Sequence, residues 1–188
     1  MTRKEQKEER RQKILMTALD LFVERGFHET KISDIASAVP MSMGLMFHYF
    51  ESKEVLLLEL VKMGLEATNS TSKMPPMPPE LFFEKFLEQL FEFSSSQPWV
   101  FNMFVLMGQA RRPGMPEDVR ELASSVKTPE ATAGIIKEGQ KSGVFREGDP
   151  LQLSITFWGA VQGIMEEMSI NKSYKAPDPK WIVSMLLK

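Results

Sequence analysis

The sequence predicts an all-α fold of about nine helices. Apolar residues recur at three- and four-residue spacing along almost the whole 188-residue chain, whereas alternating runs of β-branched residues bounded by turn dipeptides are nearly absent. The composition, with 43% hydrophobic and 26% charged residues, is typical of a globular protein rather than a disordered or fibrous one. The length suits one domain, or a small domain joined to a larger one.

The first two helices have recognisable ends. Apolar residues on adjoining stripes predict a first helix that stops at Gly26, a residue that tolerates the backbone angles found just past a helix end. The Thr30 hydroxyl is predicted to cap the second helix. Pro40 ends that helix, because a residue before proline, here Val39, is disfavoured in helical angles.

Capping residues and prolines predict where the later helices begin and end. Ser42 is predicted to cap a short third helix over residues 43–50, and Ser52 to cap a fourth that is apolar on more than one face and therefore joins two cores. Prolines and hydroxyl residues predict a loop from Thr68 to Pro79. Further helices are predicted at residues 80–94, 99–110, 117–127, 128–143, 150–169 and 178–188.

The composition also excludes several kinds of functional site. The chain has no cysteine, which excludes disulfides, thiolate metal sites and cysteine nucleophiles. With only His28 and His48, a histidine zinc site or a Ser-His-Asp triad has few candidates, so we expect no enzyme, no metal and no cofactor. Neither a membrane span nor a secretory signal is visible, and we expect a cytoplasmic protein without a membrane partner.

Charge is distributed unevenly. Residues 1–53 hold nine Lys/Arg and eight Asp/Glu, a net +1, and the remainder holds fourteen and seventeen, a net −3. Six cations oppose three glutamates in the first thirteen residues, a net +3 that predicts a mobile basic arm suited to phosphates. A solvated tail without a partner would have the same composition.

The second and third helices form a pair that is typical of DNA readers. Two short helices joined by a tight turn, packed on a first helix and preceded by basic residues, have the anatomy of a helix-turn-helix. A recognition helix of two turns fits the major groove of B-DNA. Spacing alone leaves open a plain helical hairpin in a bundle core.

A longer pattern resolves this choice. The relevant residues are Ile14-Leu15-x-x-Ala18-Leu19-x-Leu21-Phe22-x-x-x-Gly26-Phe27-x-x-Thr30-x-Ile32-x-x-Ile35-Ala36, followed by Ser42-x-Gly44-x-x-Phe47-His48-Tyr49-Phe50-x-Ser52-Lys53-Glu54-x-Leu56. In this register, over about residues 11–61, the chain resembles the TetR-type (TetR/AcrR) transcriptional regulators. The resemblance implies an N-terminal three-helix DNA-binding domain, residues 1–53, and a C-terminal helical domain, residues 54–188, that binds a ligand and dimerises.

The resemblance also implies a set of DNA contacts. Phosphate contacts are expected at Thr30, Lys31, Phe47, Tyr49 and Lys53, and Arg11 is expected as a further DNA contact. Base-facing positions are occupied by Ser42, Met43, Gly44, Leu45 and His48. The chain departs from the family where Pro40 replaces a common turn glycine and where Phe47 replaces a common phosphate-binding tyrosine. The alternative for Phe47 is that its ring packs against a sugar or the core, while Tyr49 or His48 supplies the polar contact. Few side chains here make bidentate base contacts. We therefore expect Ser42, His48, the arm in the minor groove and DNA shape to set specificity.

Beyond Pro79 the chain is rich in phenylalanine and methionine. Such stripes usually pack a core, but they also line adaptable cavities, and the resemblance favours a cavity for a hydrophobic, weakly charged inducer. The expected lining residues are Met63, Phe86, Phe104, Met107, Gln109 and Trp158.

Small residues in the 150–169 segment permit close helix approach. With the last helix they are predicted to form a two-fold interface in a homodimer, through Ile155, Gly159, Gly163, Trp181 and Met185. An intrachain core helix is the alternative. A dimer would place two recognition helices in successive major grooves, about 34 Å apart. The expected function is a repressor released by its inducer; the alternative is a helical scaffold or apolar-ligand carrier that has lost specific DNA binding.

Overall fold

The computed structural model describes residues 2–68 and 74–188, and the chain divides into two compact units. One unit comprises Met1–Glu66 and Val105–Ser124, and the other comprises Ala67–Phe104 and Ser125–Lys188. Residues 69–73 of the predicted Thr68–Pro79 loop lie outside the described residues.

The all-α prediction is confirmed. The described ranges contain ten helices: α1 (Arg3–Arg25), α2 (Ile32–Ala38), α3 (Met43–Tyr49), α4 (Lys53–Thr68), α5 (Pro79–Ser96), α6 (Trp99–Ala110), α7 (Glu117–Ser124), α8 (Thr128–Lys141), α9 (Pro150–Ile170) and α10 (Pro179–Val183). Within those ranges, the only β pairing is one isolated antiparallel bridge between Phe145 and Leu187. None of the described helices is both long enough and apolar enough to cross a membrane.

The basic N-terminal segment is helical, so the prediction of a mobile arm was wrong. The Thr2 hydroxyl accepts a bond from the Glu5 backbone N–H (3.2 Å), and the Glu5 carboxylate accepts one from the Thr2 N–H (2.7 Å). This reciprocal cap starts α1 at Arg3, and residues 3–13 contain strong helix formers without glycine or proline. The predicted end at Gly26 is confirmed, because this glycine has a φ of +89°.

Thr30 does not cap the second helix, contrary to the prediction. α2 begins at Ile32 with Lys31 as the N-cap residue, and the Asp34 carboxylate accepts a bond from the Lys31 N–H (3.0 Å). The Thr30 side chain is fully buried, with its hydroxyl 2.8 Å from the Gly26 carbonyl oxygen. It therefore closes the end of α1 instead of opening α2.

The turn after α2 has an unusual backbone. Pro40 has a φ of +24°, although the proline ring favours a φ near −65°. The next two caps are as predicted: the Ser42 hydroxyl accepts a bond from the Leu45 N–H (3.3 Å) at the start of α3, and the Ser52 hydroxyl accepts one from the Val55 N–H (3.3 Å) at the start of α4. Thus α3 is fixed in position at its first turn.

The second unit is built around aromatic rings. α8 packs along α9, and α5 and α10 pack against them. The ring of Phe83 lies 4.7 Å from that of Phe157 and 6.0 Å from that of Phe145, measured between centroids. A Cβ atom on Gly139 would lie 2.2 Å from a ring carbon of Phe145, so only glycine fits there without a shift. The core cluster contains Phe83, Leu87, Phe91, Val100, Phe101, Ile136, Phe145, Phe157, Val161, Met165, Met168, Ile182, Val183 and Leu186.

The last helix is shorter than predicted. α10 ends at Val183, whereas the apolar pattern predicted a helix up to the end of the chain. The Arg146 N–H donates to the Leu186 carbonyl (2.9 Å), and the Lys188 N–H donates to the Val144 carbonyl (3.1 Å). These bonds pair the last residues with the segment after α8, in competition with a further helical turn.

Candidate DNA-binding surface

α3 presents most of the residues predicted to face bases. Ser42, Gly44 and His48 are exposed, and Met43 and Leu45 are partly buried. The opposite side of α3 is anchored by the fully buried Met46, followed by the buried Phe50. The accessible face is therefore held by apolar packing behind it. Lys31, at the N-terminus of α2, is also exposed.

Phe47 and Tyr49 occupy different environments on α3. The Phe47 ring is 50% exposed, so it is not a core residue of this unit. Tyr49 is partly buried, and its ring centroid lies 6.1 Å from that of His48, nearly perpendicular to it. Of the aromatic pair predicted to contact phosphates, only Tyr49 carries a hydroxyl that can donate to a phosphate oxygen.

Lys53 is engaged inside the unit. Its ammonium group donates to the carbonyl oxygens of Phe27 (2.8 Å), His28 (3.2 Å) and Thr30 (2.9 Å). It also lies 4.5 Å from the centroid of the Phe27 ring. A lysine ammonium has three donors, and all three have acceptors here. In this structure Lys53 therefore ties the start of α4 to the turn between α1 and α2.

Arg11 has a similar internal role. Its guanidinium forms an ion pair with the Glu59 carboxylate and lies 5.2 Å from the centroid of the Phe50 ring. Its side chain is 29% exposed. Arg11 thus connects α1 with α4 and with the end of α3. Sequence reasoning did not find Glu59 as its partner, because the two residues are far apart in the chain.

A groove lies between α1 and α3. It is lined by Lys4, Lys7, Glu8, Arg11, His48 and Tyr49. Sequence reasoning missed Lys4 and Lys7 as individual site residues because the segment was predicted to be a mobile arm. Their spacing carried the signal: residues 4, 7 and 11 lie on one face of a helix.

Comparisons with known proteins agree with this geometry. The profile of the family described as bacterial regulatory proteins, tetR family, matches residues 14–60, which include all of α2 and α3. The chain is 27% identical over 152 residues to the HTH-type transcriptional regulator RutR of Escherichia coli K12, which covers 79% of this chain and 70% of RutR. Residues 14–60 are therefore similar to the bacterial regulatory proteins of the tetR family.

Two further relatives add detail. The HTH-type transcriptional repressor KstR2 of Rhodococcus jostii is 40% identical over 53 residues, which cover 28% of the regulator described here and 26% of KstR2. The crystal structure of AibR in complex with isovaleryl coenzyme A and operator DNA has a TM-score of 0.76 at 18% identity, over 95% of this chain and 98% of AibR. The chain therefore shares the fold of AibR over nearly its whole length. The match of residues 14–60 and the likeness to RutR identify it as a helix-turn-helix transcriptional regulator.

The residues predicted to line a ligand cavity do not all belong to one unit of the regulator. Met63, Met107 and Gln109 lie in the first unit, and Phe86, Phe104 and Trp158 lie in the second. All six are partly buried.

Within the second unit, two of these residues are in contact. The ring centroids of Phe86 and Trp158 are 5.1 Å apart, and Phe104 packs against the same core cluster. The indole N–H of Trp158 donates to the Thr132 hydroxyl (2.9 Å), which lies 2.7 Å from the Ser154 hydroxyl. Sequence reasoning missed these two buried hydroxyls, because isolated serine and threonine residues give no periodic signal.

The residues predicted for a dimer interface are mostly exposed. Ile155, Gly159 and Gly163 share one exposed face of α9, and the Ile155 side chain is 53% exposed. Trp181, on α10, is 71% exposed. Met185 differs: it lies beyond the end of α10 and is partly buried against the core cluster.

Proposed function

We propose that this regulator binds a pseudo-palindromic operator as a homodimer, represses transcription, and is released by a hydrophobic small molecule. One observation carries the DNA-binding part of this proposal: α3 is capped at its start, anchored by buried Met46 and Phe50, and open on its other face. Such a helix can enter a major groove without rearranging the unit that holds it. Repression is supported by the likeness to KstR2.

The proposed DNA contacts are a subset of those that the sequence predicts. Accessible residues are proposed to touch DNA: Lys31, Ser42, Met43, Gly44, Leu45, Phe47, His48 and Tyr49. Arg11, Thr30 and Lys53 are instead proposed to position α3, because their polar groups already have partners inside the unit. We propose residues 1–53 as the DNA-binding part of the regulator and 54–188 as the part for ligand binding and dimerisation.

Specificity is proposed to depend on few direct base contacts. Ser42 and His48 are the polar side chains on the exposed face of α3, while Met43 and Leu45 can meet only thymine methyls or sugars. Sequence-dependent DNA shape would supply the remaining discrimination. The proposal does not include an extended arm in the minor groove, since residues 3–13 belong to α1.

The proposed dimer uses the exposed face of α9 with Trp181. Large apolar side chains at 53% and 71% exposure, beside two glycines with open space around them, suit close packing against a second copy. Met185 would support this surface from within the core. Two copies are needed because each operator half would take one recognition helix.

The inducer is proposed to contact Phe86, Phe104 and Trp158, which lie in the second unit. The crystal structure of AibR with isovaleryl coenzyme A and operator DNA supports a small-molecule response in this fold. An inducer must favour the DNA-incompetent state by several kcal/mol to shift the bound fraction from mostly on to mostly off. We propose that the regulator works in the cytoplasm, where the operator lies.

The test is selection of binding sites from random duplex DNA at about 0.15 M salt, a concentration at which phosphate contacts alone bind weakly. The expected result is a palindromic consensus bound by two chains, with the stoichiometry measured by sedimentation. Gly44→Glu should abolish enrichment, because it places a negative charge on the exposed face of α3, and a Cβ atom at Gly44 would meet no neighbouring side chain of the described residues within 4 Å. Gly134→Glu, at an equally open helical glycine in the second unit, is the matched control. Absence of enrichment with the unaltered chain would contradict the proposal and favour a carrier or scaffold.

A further inference from the structure

We infer that the groove between α1 and α3 binds phosphates of the DNA backbone beside the base-reading surface. The inference rests on the proposed function and adds a second element, α1, to the DNA contacts. Three cations and one carboxylate line the groove, together with an imidazole and a phenol. These cationic and ring groups can donate hydrogen bonds to phosphate oxygens.

Lys4 and Lys7 are the cations available for a ligand. Within residues 2–68 and 74–188, no ion pair involves either of them. Both side chains are exposed, and they lie one helical turn apart on α1. Arg11, by contrast, is paired with Glu59 and holds the inner end of the groove. We therefore assign phosphate contact to the two lysines and positioning to the arginine.

On the α3 side, the groove is lined by His48 and Tyr49, and His48 is also one of the proposed base-reading residues. His48 and Tyr49 belong to the recognition helix, so a strand in the groove would be continuous with DNA that α3 reads. From Lys4 to Arg11 the helix rises about 10 Å, and one DNA strand carries a charge every 3.4 Å along the axis. The groove is therefore long enough to follow more than one phosphate, which distinguishes a nucleic-acid strand from a single anion.

Removing the charge of Glu8 should have the opposite effect on DNA binding from removing a lysine charge, and this gives a second test. It is the carboxylate in the groove, and it accepts a bond from the Gln12 side chain (3.2 Å) one turn further along α1. A phosphate in the groove would be repelled by this charge. Removing the charge should tighten DNA binding, whereas removing that of Glu9, whose position on α1 is turned away from the groove, should not.

The experiment compares Lys7→Gln with Lys13→Gln in the full chain, on the duplex selected above. Position 13 lies on the opposite face of α1 and is also exposed, so the two variants lose the same charge in different places. For each, the dissociation constant is measured between about 0.05 and 0.2 M salt, and the slope against the logarithm of salt concentration is taken. Circular dichroism checks that both variants keep their helices.

Loss of one phosphate contact should lower the magnitude of the slope by about 0.9 per chain. Raising the salt concentration over that range weakens DNA binding by every variant. For Lys7→Gln, this weakening should be about 3.5-fold smaller per chain than for the unaltered chain. Lys13→Gln should leave the slope unchanged, and Glu8→Gln should tighten binding where Glu9→Gln does not.

Three outcomes separate the explanations. Equal slopes for Lys7→Gln and Lys13→Gln, on a duplex that the unaltered chain binds specifically, would overturn the inference and leave the proposed function standing. Failure of the unaltered chain to bind any selected duplex would instead overturn the proposed function. Inorganic phosphate, titrated without DNA at constant ionic strength, is expected not to saturate the groove. Saturation that Lys7→Gln removes would assign the groove to a free anion and overturn the inference.

Discussion

The two units of the chain differ in the contacts that are most prominent in each. In the first unit, charged and hydroxyl side chains with defined partners fix the ends of helices, as Lys53 and Thr30 do around the turn between α1 and α2. In the second unit, a cluster of aromatic and aliphatic side chains fills the space between long helices, with Phe83 at its centre. The first unit also has a buried apolar core, which includes Ile14, Phe22 and Leu57, and its polar bonds fix the helix ends around that core.

This difference predicts how each unit responds to substitution. Apolar packing tolerates little added volume, so the largest effects are expected where the second unit is tightest. A single polar bond contributes less to stability than tight core packing does, so removing one such bond in the first unit should cost less free energy of unfolding. All three tryptophans, Trp99, Trp158 and Trp181, belong to the second unit, so their fluorescence reports its unfolding separately from circular dichroism of the whole chain.

Gly139→Ala should have the largest effect. The added methyl group would lie 2.2 Å from the ring of Phe145, which is 1% exposed and cannot move aside freely. We expect a loss of about 3 kcal/mol in the free energy of unfolding, measured by denaturant titration with tryptophan fluorescence. Gly134→Ala, in the same helix but with open space, should instead gain up to about 1 kcal/mol from helix propensity. Similar values for both would show that the core is looser than described.

Thr132→Val should be next. It removes the acceptor of the Trp158 indole N–H and the partner of the Ser154 hydroxyl, and leaves two polar groups unsatisfied among apolar neighbours. The expected loss is about 2 kcal/mol, followed by the same fluorescence titration. Thr156→Val, at an exposed position of α9 where the hydroxyl bonds to the Gln152 carbonyl, should change stability by less than about 0.5 kcal/mol. A neutral Thr132→Val would mean that the buried hydroxyls are not part of the packing.

Lys53→Met should weaken the first unit by about 1.5 kcal/mol. It keeps most of the side-chain length but loses three bonds to backbone carbonyls and the contact with the Phe27 ring. Because the first unit lacks tryptophan, amide hydrogen exchange in α1 and α2 is the suitable measurement. Lys62→Met, at an exposed position of α4, is the control. If Lys53 touched phosphate instead, Lys53→Met would lower the salt slope of operator binding and leave exchange unchanged.

Pro40→Gly should have the smallest effect, and one of opposite sign. Glycine adopts a φ of +24° readily, whereas the proline ring is strained there, so relief of strain should exceed the added freedom of the unfolded chain. The expected gain is below about 1 kcal/mol, measured as slower hydrogen exchange in α2 and α3. Pro113→Gly, at a proline without a positive φ, should lose stability. Destabilisation by Pro40→Gly would contradict the account of this turn.

Sequence reasoning predicted several helix ends in the first unit correctly. α1 ends at Gly26, and α3 and α4 begin after Ser42 and Ser52, so local chemistry determines these boundaries. It failed at Thr30 and at the N-terminal arm. In both places the outcome depends on partners that composition does not reveal: the Gly26 carbonyl for Thr30, and the reciprocal cap between Thr2 and Glu5 for the arm.

For the second unit, sequence reasoning predicted the helices, but it could not tell which residues line a ligand site. Apolar spacing located α5, α8 and α9, but the same spacing cannot tell a residue that lines a cavity from one that packs a core. Phe86 and Phe104 both border the core cluster. The end of the chain was also mispredicted, because pairing of Leu187 with Phe145 is a long-range contact.

The most direct test of the account is where DNA protects the chain. Amide hydrogen exchange of the full chain should be measured with and without the selected operator duplex. We expect slower exchange at the start of α1 and throughout α3, and no change of comparable size in α5 or α10. Protection confined to the second unit, with α3 unchanged by a duplex that the chain binds tightly, would contradict the claim that α3 reads the DNA.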